Sequence, residues 1–343
     1  MIVYSRPAVI RDAEQQTTTD IVKVSVSSGV PGGGTGSEPP LLIASAGPAA
    51  KFAWEEFLYG EIRNPHTRRS YYHAIHGFLS HCRECAKSLS QITPRDVGDY
   101  LDRLPLAPST KKIHLAALRR FFDRLVLRHV VVLNPAASVR GERLQVVEGK
   151  TPEIGIEQAR TLLRTLDATH VIGLRDRAVI GILIYTAARV GAVAKLRRGD
   201  FYSVADQYYF RFAEKGGKSR EIPVRHDLSQ FIRNYLDAGG LEYAERVTPL
   251  FRSTLRRTRR LTQAGMTAGD LSRMVKRRLR DAGISDRLSP HSFRVMTVTD
   301  LLSQGVPLED VQNLAGHADP RTTRLYDRRQ RKITRNIVER ISI

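Results

Sequence analysis

Residues near the end of the chain have types that together could carry out phosphoryl transfer. Tyr326 lies among arginines in HADPRTTRLYDRRQRK, nine positions after His317 (326 − 317), and His291 and Arg294 are three apart in PHSFRV. Arginine forks can grip the non-bridging oxygens of a phosphodiester. A phenolic oxygen can attack phosphorus, while histidines can transfer protons or donate hydrogen bonds. Each residue alone is more often a surface or packing residue, but the set predicts a tyrosine nucleophile.

A further arginine and a proton donor would complete this chemistry. Arg189 stands in TAARVGAVAKL, directly after the apolar run AVIGILIY. An arginine so close to a core helix needs an anion or a buried carboxylate to offset its loss of water. Cleavage also needs an acid, such as a lysine, that protonates the departing sugar oxygen.

Helix signals predict the elements that position the two histidines. His291 and Arg294 share a face if PHSFRVMTVTDLL is a helix, because residues three apart are neighbours on a helix surface. In GVPLEDVQNLAGHADP, Pro307 is suited to a helix start and Gly316 to a helix end. His317 is therefore expected just past a helix cap.

Tyr326 is expected on a short helix of its own. Asp319 is a suitable N-cap, and Pro320 is a suitable first helical residue. Tyr326 would then lie about two turns into this helix, at a fixed distance from His317.

The remainder of the second half predicts a small sheet within a helical domain. In QYYFRFA, Tyr208, Phe210 and Phe212 recur at every second position, which is the period of a strand. EKGGKS is typical of a turn, and REIPV returns as the partner strand. From DLSQFIRNYL onward the pattern is helical again, apart from the basic loop LRRTRRL.

The first half is predicted to be a helical domain. Four amphipathic segments follow one another, namely KFAWEEFLYGEI, TRRSYYHAIHGFLSHCREC, TPRDVGDYLDRL and LAPSTKKIHLAALRRFFDRLVLR. Basic residues on their polar faces are either solvated or in contact with phosphates. The residues expected to contact phosphates there are Arg68, Arg69, Lys111, Lys112, Arg119 and Arg120.

Composition divides the chain further. VSSGVPGGGTGSEPP is rich in Gly, Ser and Pro without a period, which is typical of a flexible tail. ERLQVVEGKTPEIG is polar and lacks a helical period, as a linker does, and the last residues place four apolar side chains on one helical stripe. The expected divisions are an N-terminal tail 1–50, a helical domain 51–141, a linker 142–153, a second domain 154–331 that contains the candidate catalytic residues and a C-terminal helix 332–343.

The charge balance favours a polyanionic partner. The chain has 343 residues and a formal net charge of +20, and 41% of its residues are hydrophobic, enough to form a core. Such an excess of positive charge is typical of proteins that bind nucleic acid or anionic lipid. No apolar run approaches the ~20 residues of a membrane span, and the N-terminus lacks the layout of a secretory signal. We therefore expect a DNA partner and no membrane association.

The two cysteines, Cys82 and Cys85, form HCREC next to His81. A zinc site takes four ligands, and no second Cys pair or H-x₃₋₅-H follows at the usual distance. We therefore expect two reduced thiols with a structural role and no metal site.

Arg189, H-S-F-R at 291–294, G-H at 316–317 and Tyr326 together resemble the signature of the tyrosine recombinases, the phage integrase family. The order matches, as does the nine-position step to Tyr326, and the segment 51–141 resembles the family's core-binding domain. The resemblance implies a mainly α fold with a small antiparallel β-sheet (α+β). In that fold a helical core-binding domain precedes the catalytic domain, and the two close around duplex DNA.

The resemblance also implies the role of each residue. Tyr326 would form a 3′-phosphotyrosyl bond and free a 5′-hydroxyl. Arg189 and Arg294 would clamp the scissile phosphate and stabilise its transition-state charge. His291 would act as base or hydrogen-bond partner, and His317 would contact a phosphate oxygen.

The general acid is expected in the turn EKGGKS. Lys215 fits the family's turn best, while Lys218 is either the alternative acid or a contact to the DNA backbone. Two positions depart from the family pattern. Ala192 stands where many relatives have an acidic residue, so support for Arg189 must come from elsewhere, and Val295 replaces a commoner histidine.

The implied function is that of a site-specific DNA recombinase or integrase that acts through a Holliday junction. Its partners would be double-stranded recombination sites and further copies of the chain, as a tetramer on paired sites that exchanges C-terminal segments. The protein would serve a mobile element in a prokaryotic cytoplasm, on the nucleoid. No metal, nucleotide or other cofactor is implied, because no Walker motif or acidic metal cluster is present.

Two rival functions share much of this pattern. A type IB topoisomerase uses the same chemistry to relax DNA. A catalytically silent DNA-binding protein could retain the fold, although the presence of every catalytic residue type disfavours it. The helical domain in front and the C-terminal segment favour the recombinase over the topoisomerase.

Overall fold

The computed structural model describes residues 38–142, 151–213, 219–256, 258–317 and 319–326. The chain divides into two compact units, Met1–Leu144 and Gln145–Ile343. The predicted C-terminal helix and most of the predicted tail and linker lie outside the described residues. Within the described parts, no helix has both the length and the apolar character needed to cross a membrane.

The first unit is helical in its described part, as the sequence pattern predicts. Its helices are α1 Leu41–Ser45, α2 Pro48–Glu55, α3 Pro65–Glu84, α4 Pro94–Arg103 and α5 Pro108–Leu127, with a π-helical segment at Glu56–Glu61 and a 3₁₀ turn at Leu89–Gln91. Proline at the first position begins four of these helices, where its missing N–H costs nothing. Asn64 caps α3 by accepting from the backbone N–H groups of His66 and Thr67.

The predicted tail is too long at its C-terminal end. Helix α1 and the start of α2 fall inside the span 1–50, and both contribute to the core of the first unit. Ile43 and Ala50 are fully buried there. The stretch rich in Gly, Ser and Pro ends at residue 40, and the apolar residues that follow have enough surface to bury.

Aromatic side chains fill the core of the first unit. Trp54 meets Phe121 edge to face with ring centroids 5.7 Å apart, and Phe78 meets Phe122 at 6.0 Å. Cys82 is buried in this core, and its burial raises the pKa of the thiol to about 12, whereas Cys85 is exposed. Such a thiol is a poor nucleophile and a poor metal ligand, which agrees with the structural role expected of it.

The second unit combines helices with two antiparallel strand groups. Its helices are α6 Ile156–Thr165, α7 Val171–Tyr185, α8 Val190–Val193, α9 His226–Ala238, α10 Ala268–Asp281, α11 Pro290–Ser303, α12 Leu308–Ala315 and α13 Pro320–Arg324, and a 3₁₀ turn lies at Arg198–Asp200. Its strands are β1 Phe201–Val204, β2 Gln207–Ala213, β3 Ser219–Pro223, β4 Arg252–Thr254 and β5 Leu261–Gly265. The described residues are therefore mainly helical with small antiparallel sheets, as predicted.

The predicted hairpin of β2 and β3 is confirmed and is extended by β1. The strands pair in the order β1-β2-β3, with Phe210 opposite both Phe201 and Ile222. Phe210 and Phe212 are fully buried, so these alternate positions of the strand face the core.

The basic loop predicted at LRRTRRL is only the end of a second hairpin, formed by β4 and β5. These strands are short and partly exposed, so they lack the apolar alternation that identifies a strand in a sequence.

Helix α7 crosses the core, as its apolar run predicts. Ile180, Ile182 and Leu183 are fully buried. The same helix also carries a buried ion cluster. The Asp176 carboxylate accepts from Arg175 and, through its other oxygen, from Arg278 of α10, each at 2.7 Å. This cluster ties α7 to α10.

We expect Asp176→Asn to destabilise the second unit by about 3 kcal/mol or more, because it leaves buried arginine charge without its counter-ion. Arg175 is almost fully buried, so water cannot compensate. Hydrogen–deuterium exchange of α7 peptides measures the effect. Asp237→Asn, at an exposed position of α9, is the matched control and should leave exchange unchanged. Equal exchange in both variants would contradict the prediction.

Candidate active site

The ring of Tyr326 packs against a small apolar cluster separate from the main core of the second unit. The cluster comprises Ala187, Val295, Val298, Leu302, Val311, Ala315 and Tyr326 itself. Tyr326 retains only 9% of its surface exposed. Val295, one of the two departures from the family pattern, thus belongs to the cluster that surrounds the tyrosine ring.

Tyr326 lies just past a helix, and the prediction that it stands two turns inside one is wrong. The predicted start is correct, because the Asp319 side chain accepts from the Arg321 N–H at 2.8 Å and Pro320 is the first helical residue. However, α13 is five residues long. The Tyr326 N–H then donates to the Thr323 carbonyl at 3.0 Å, in a tight turn that ends the helix.

His291 faces the tyrosine hydroxyl. It lies in the first turn of α11, and its Nε2 is 3.3 Å from the Tyr326 hydroxyl oxygen. At this distance a neutral His291 can accept the phenolic proton, provided that its own proton resides on Nδ1. His291 keeps an exposed side, so solvent or a ligand can reach the pair.

His317 stacks on the tyrosine. The two rings are nearly parallel, at 6° with centroids 6.0 Å apart. Gly316 ends α12 in the left-handed conformation, with φ of 61°, which glycine adopts without strain. As predicted, His317 follows this cap, and its carbonyl accepts from the Gln312 side chain at 3.0 Å.

Both predicted arginines lie near His291, but one is buried and the other is exposed. Arg294 is 1% exposed, and its Nη1 donates to the carbonyl of Ala187 at 2.5 Å. Arg189 directly precedes α8 and is exposed, and its Nη1 donates to the Gly316 carbonyl at 3.3 Å. The expectation that Arg189 loses its water is therefore wrong, since the chain turns outward after α7, and the argument applies to Arg294 instead.

The charges of these groups act on one another. Loss of water, followed by the charges of Arg294 and Arg189, lowers the pKa of His291. The same causes lower the pKa of His317 to about 3, with additional contributions from His291 and Arg220. Both histidines are therefore neutral near pH 7, and the two arginines supply positive charge to the site.

The lowered pKa of His317 predicts acid sensitivity. The unfolded chain takes up a proton on this histidine below pH ~6.5, whereas the native state stays neutral until about pH 3. Stability is therefore lost as the pH falls through this window, by about 2 kcal/mol between pH 7 and pH 5. His317→Gln should remove that part of the loss.

Hydrogen–deuterium exchange of α7 peptides at the two pH values is the suitable measurement. The single tryptophan of the sequence, Trp54, lies in the first unit and does not report on this one. An equal loss of protection in the wild type and in His317→Gln would show that His317 is not held neutral.

Lys215 and Lys218 lie outside the described residues. The strands that flank their turn are described, and the second of them, β3, carries Arg220. Its Nη1 donates to the Asn313 carbonyl of α12 at 3.4 Å. This contact brings the β2–β3 hairpin next to the helix that leads to His317. Sequence analysis missed Arg220, although its position two residues after Lys218 could have indicated it.

The basic residues predicted on the first unit differ in their surroundings. Arg119 donates to the carbonyls of Ala136 and Val139, and Arg68 donates to the Ile62 carbonyl at 2.8 Å. Their guanidinium groups thus hold loops of the unit.

The other four predicted residues either pair with carboxylates or are exposed. Arg120 pairs with Glu61 at 3.1 Å and Lys111 with Glu142 at 3.4 Å. Arg69 and Lys112 are exposed. Contact of all these residues with DNA remains a prediction.

Among the described histidine, cysteine, aspartate and glutamate residues, no three or more come together in a way that could hold a metal ion.

Family models match both units. The model of the phage integrase family matches residues 154–332, which is more than half of the 343 residues. The chain belongs to the phage integrase family. A second model, that of the phage integrase N-terminal SAM-like domain, matches residues 53–130.

Curated relatives of this phage integrase family member are tyrosine recombinases. It is 28% identical to tyrosine recombinase XerD of Chlorobaculum tepidum over 282 residues, which cover 79% of the chain and 88% of the relative. It is 27% identical to tyrosine recombinase XerC of Chlamydia pneumoniae over 285 residues, covering 77% and 88%. The protein is thus a site-specific tyrosine recombinase, and the topoisomerase alternative is not favoured.

Solved structures agree with the fold. XerH site-specific recombinase in a post-cleavage complex with a palindromic difH substrate has a TM-score of 0.65 at 20% identity, covering 79% of this chain and 80% of that chain. A lambda integrase tetramer bound to a Holliday junction has a TM-score of 0.63 at 15% identity, covering 85% and 82%. The predicted order, a helical domain followed by a catalytic domain, is confirmed.

Proposed function

We propose that this recombinase cleaves and rejoins DNA through a covalent bond between Tyr326 and a 3′-phosphate, without metal or ATP. The observation that carries the proposal is the contact of the Tyr326 hydroxyl with His291, at 3.3 Å, in a site that also contains Arg189 and Arg294. A nucleophile, a proton acceptor and two cations are the groups that transfer of a phosphodiester requires.

In the proposed cleavage step, the Tyr326 oxygen attacks phosphorus and its proton passes to His291 Nε2. The bond from phosphorus to the 5′-oxygen breaks as the tyrosyl ester forms. Lys215, or alternatively Lys218, protonates the departing 5′-oxygen. The tyrosyl ester retains the free energy of the phosphodiester bond that it replaced. The 5′-hydroxyl of a partner strand can therefore attack this ester and rejoin the DNA without ATP.

Three groups stabilise the phosphorane-like transition state in this proposal. Arg189 donates one guanidinium N–H to the Gly316 carbonyl. Because arginine has five N–H donors, the others can bind the phosphate. Arg294 acts from a buried position, where a charge–charge interaction is stronger than in water. His317 donates a hydrogen bond to a phosphate oxygen.

The first unit supplies DNA affinity in this proposal. Exposed Arg69 and Lys112 are free of the loop-holding contacts of Arg68 and Arg119, so each should neutralise one phosphate. Arg69→Ala and Lys112→Ala would then each make the plot of log binding constant against log salt concentration less steep, by about 1 in the magnitude of its slope.

We further propose that the protein assembles as a tetramer on two paired sites and passes through a Holliday junction, serving a mobile element in a prokaryotic cytoplasm. The lambda integrase structure is a tetramer on such a junction. The predicted apolar stripe of the C-terminal segment fits docking onto a neighbouring protomer. Truncation after Arg331 tests this, because cooperative assembly on DNA should be lost. If assembly survives the truncation, segment exchange is wrong.

The proposal as a whole is tested on DNA sites that the protein itself enriches from a pool of random sequences. A nick a few nucleotides to the 3′ side of the cleavage position lets the short fragment that carries the free 5′-hydroxyl diffuse away, which traps the covalent complex. We expect a band that resists denaturation in the presence of EDTA and in the absence of ATP. A requirement for Mg²⁺, or relaxation of supercoils without joining of two sites, would contradict it.

A further inference from the structure

Thr323 is a buried polar residue that the cleavage mechanism above does not use. It lies in α13 with no exposed surface, and its Oγ1 is 2.8 Å from Nδ1 of His317. The hydroxyl is thus the hydrogen-bond partner of the ring nitrogen that points away from a bound phosphate, if His317 contacts that phosphate through Nε2.

The proton on a neutral histidine can occupy only one of the two ring nitrogens, and the partner of the other nitrogen decides which. His317 can donate to a phosphate oxygen from Nε2 only if Nδ1 carries no proton. Nδ1 must then accept a hydrogen bond. A threonine hydroxyl can be the donor or the acceptor, since its proton rotates to suit the partner.

The opposite arrangement would impair catalysis. If Nδ1 kept the proton and donated it to Thr323, the lone pair of Nε2 would face the phosphate oxygens and repel them. Arg294 and Arg189 lie close enough for their charges to keep His317 neutral. These charges favour the neutral ring over a ring that carries a proton on both nitrogens.

We propose that Thr323 is a positioning residue that donates its hydroxyl proton to Nδ1 of His317 and so fixes Nε2–H toward the scissile phosphate. This inference rests on the proposed function, because it assumes that His317 contacts phosphate. It adds the residue that determines which tautomer of His317 contacts the phosphate.

Two variants separate the hydroxyl from the shape of the side chain. Thr323→Val keeps the branched shape in its buried place and loses the hydroxyl, whereas Thr323→Ser keeps the hydroxyl. In single-turnover cleavage of the nicked substrate, we expect Thr323→Val to be about 10- to 100-fold slower, by analogy with the loss of residues that orient metal-ligating histidines. Thr323→Ser should stay within about threefold, and DNA affinity should be unchanged in both.

A double-mutant comparison excludes a merely structural role. In the His317→Gln background, Thr323→Val should cause no further loss, since its effect passes through His317. An equal additional loss in that background, or a Thr323→Ser variant as slow as Thr323→Val, would overturn the proposal.

Nitrogen-15 NMR of histidine-labelled full-length protein gives a readout that does not depend on cleavage. With inorganic phosphate added, wild-type His317 should carry its proton on Nε2, and Thr323→Val should shift protonation toward Nδ1. If the wild type carries it on Nδ1, the inference fails even where cleavage is normal. If the wild type cleaves no DNA but shows Nε2 protonation that Thr323→Val shifts, the proposed function fails, and only the hydrogen bond from Thr323 to Nδ1 of His317 stands.

Discussion

Tyr326→Phe is expected to abolish covalent attachment to DNA while leaving folding and DNA binding unchanged. The ring keeps its place in the apolar cluster with Val295 and Val298, and only the hydroxyl next to His291 is lost. Because no other atom of the ring can attack phosphorus, cleavage should fall by at least about 10⁴-fold. Gel analysis of the denatured reaction on the nicked substrate measures the loss.

Tyr243→Phe is the matched control for this prediction. Tyr243 is 96% exposed, so the same chemical change there should leave cleavage at the wild-type rate. A covalent complex formed by Tyr326→Phe would mean that another residue is the nucleophile. Loss of attachment in both variants would point to a general defect.

Arg294→Lys is expected to slow cleavage by about 10³-fold, although the positive charge is kept. Lysine is a point charge and cannot reproduce the planar fork of a guanidinium. The fork also donates to the carbonyl of Ala187, a non-glycine residue with φ of 50°. That left-handed turn leads directly to Arg189, so loss of the contact should disturb both arginines.

Arg233→Lys, at an exposed position on α9, is the matched control and should cleave normally. Hydrogen–deuterium exchange of α11 peptides separates a catalytic loss from unfolding. A loss of less than about tenfold in a folded Arg294→Lys variant would contradict the assigned role, because transition-state donors of this kind contribute more.

Local signals in the sequence predicted much of the site. The spacing of His291 and Arg294, the αL glycine at Gly316 and the start at Asp319 are each determined by a few neighbouring residues, and the structure confirms all of these positions. Such signals depend on backbone preferences that a short stretch already expresses. The exit of Tyr326 from α13 is the exception, because helix ends are less strongly encoded than starts that have an N-cap and a proline.

Contacts between distant parts of the chain were beyond the sequence pattern. Arg294 and Ala187 are 107 positions apart, and Arg220 and Asn313 are 93 apart. Only the packing of α7, α11 and the β2–β3 hairpin brings them together. Thr323 illustrates the same limit at short range, since a threonine in TTRLY gives no sign that its hydroxyl meets His317.

Mass spectrometry of the trapped complex tests the central claim most directly. After digestion with protease and nuclease, we expect the peptide that contains Tyr326 to carry a nucleotide joined through its 3′-phosphate to the phenolic oxygen. Recovery of that peptide unmodified, with the nucleotide on another residue, would contradict the account.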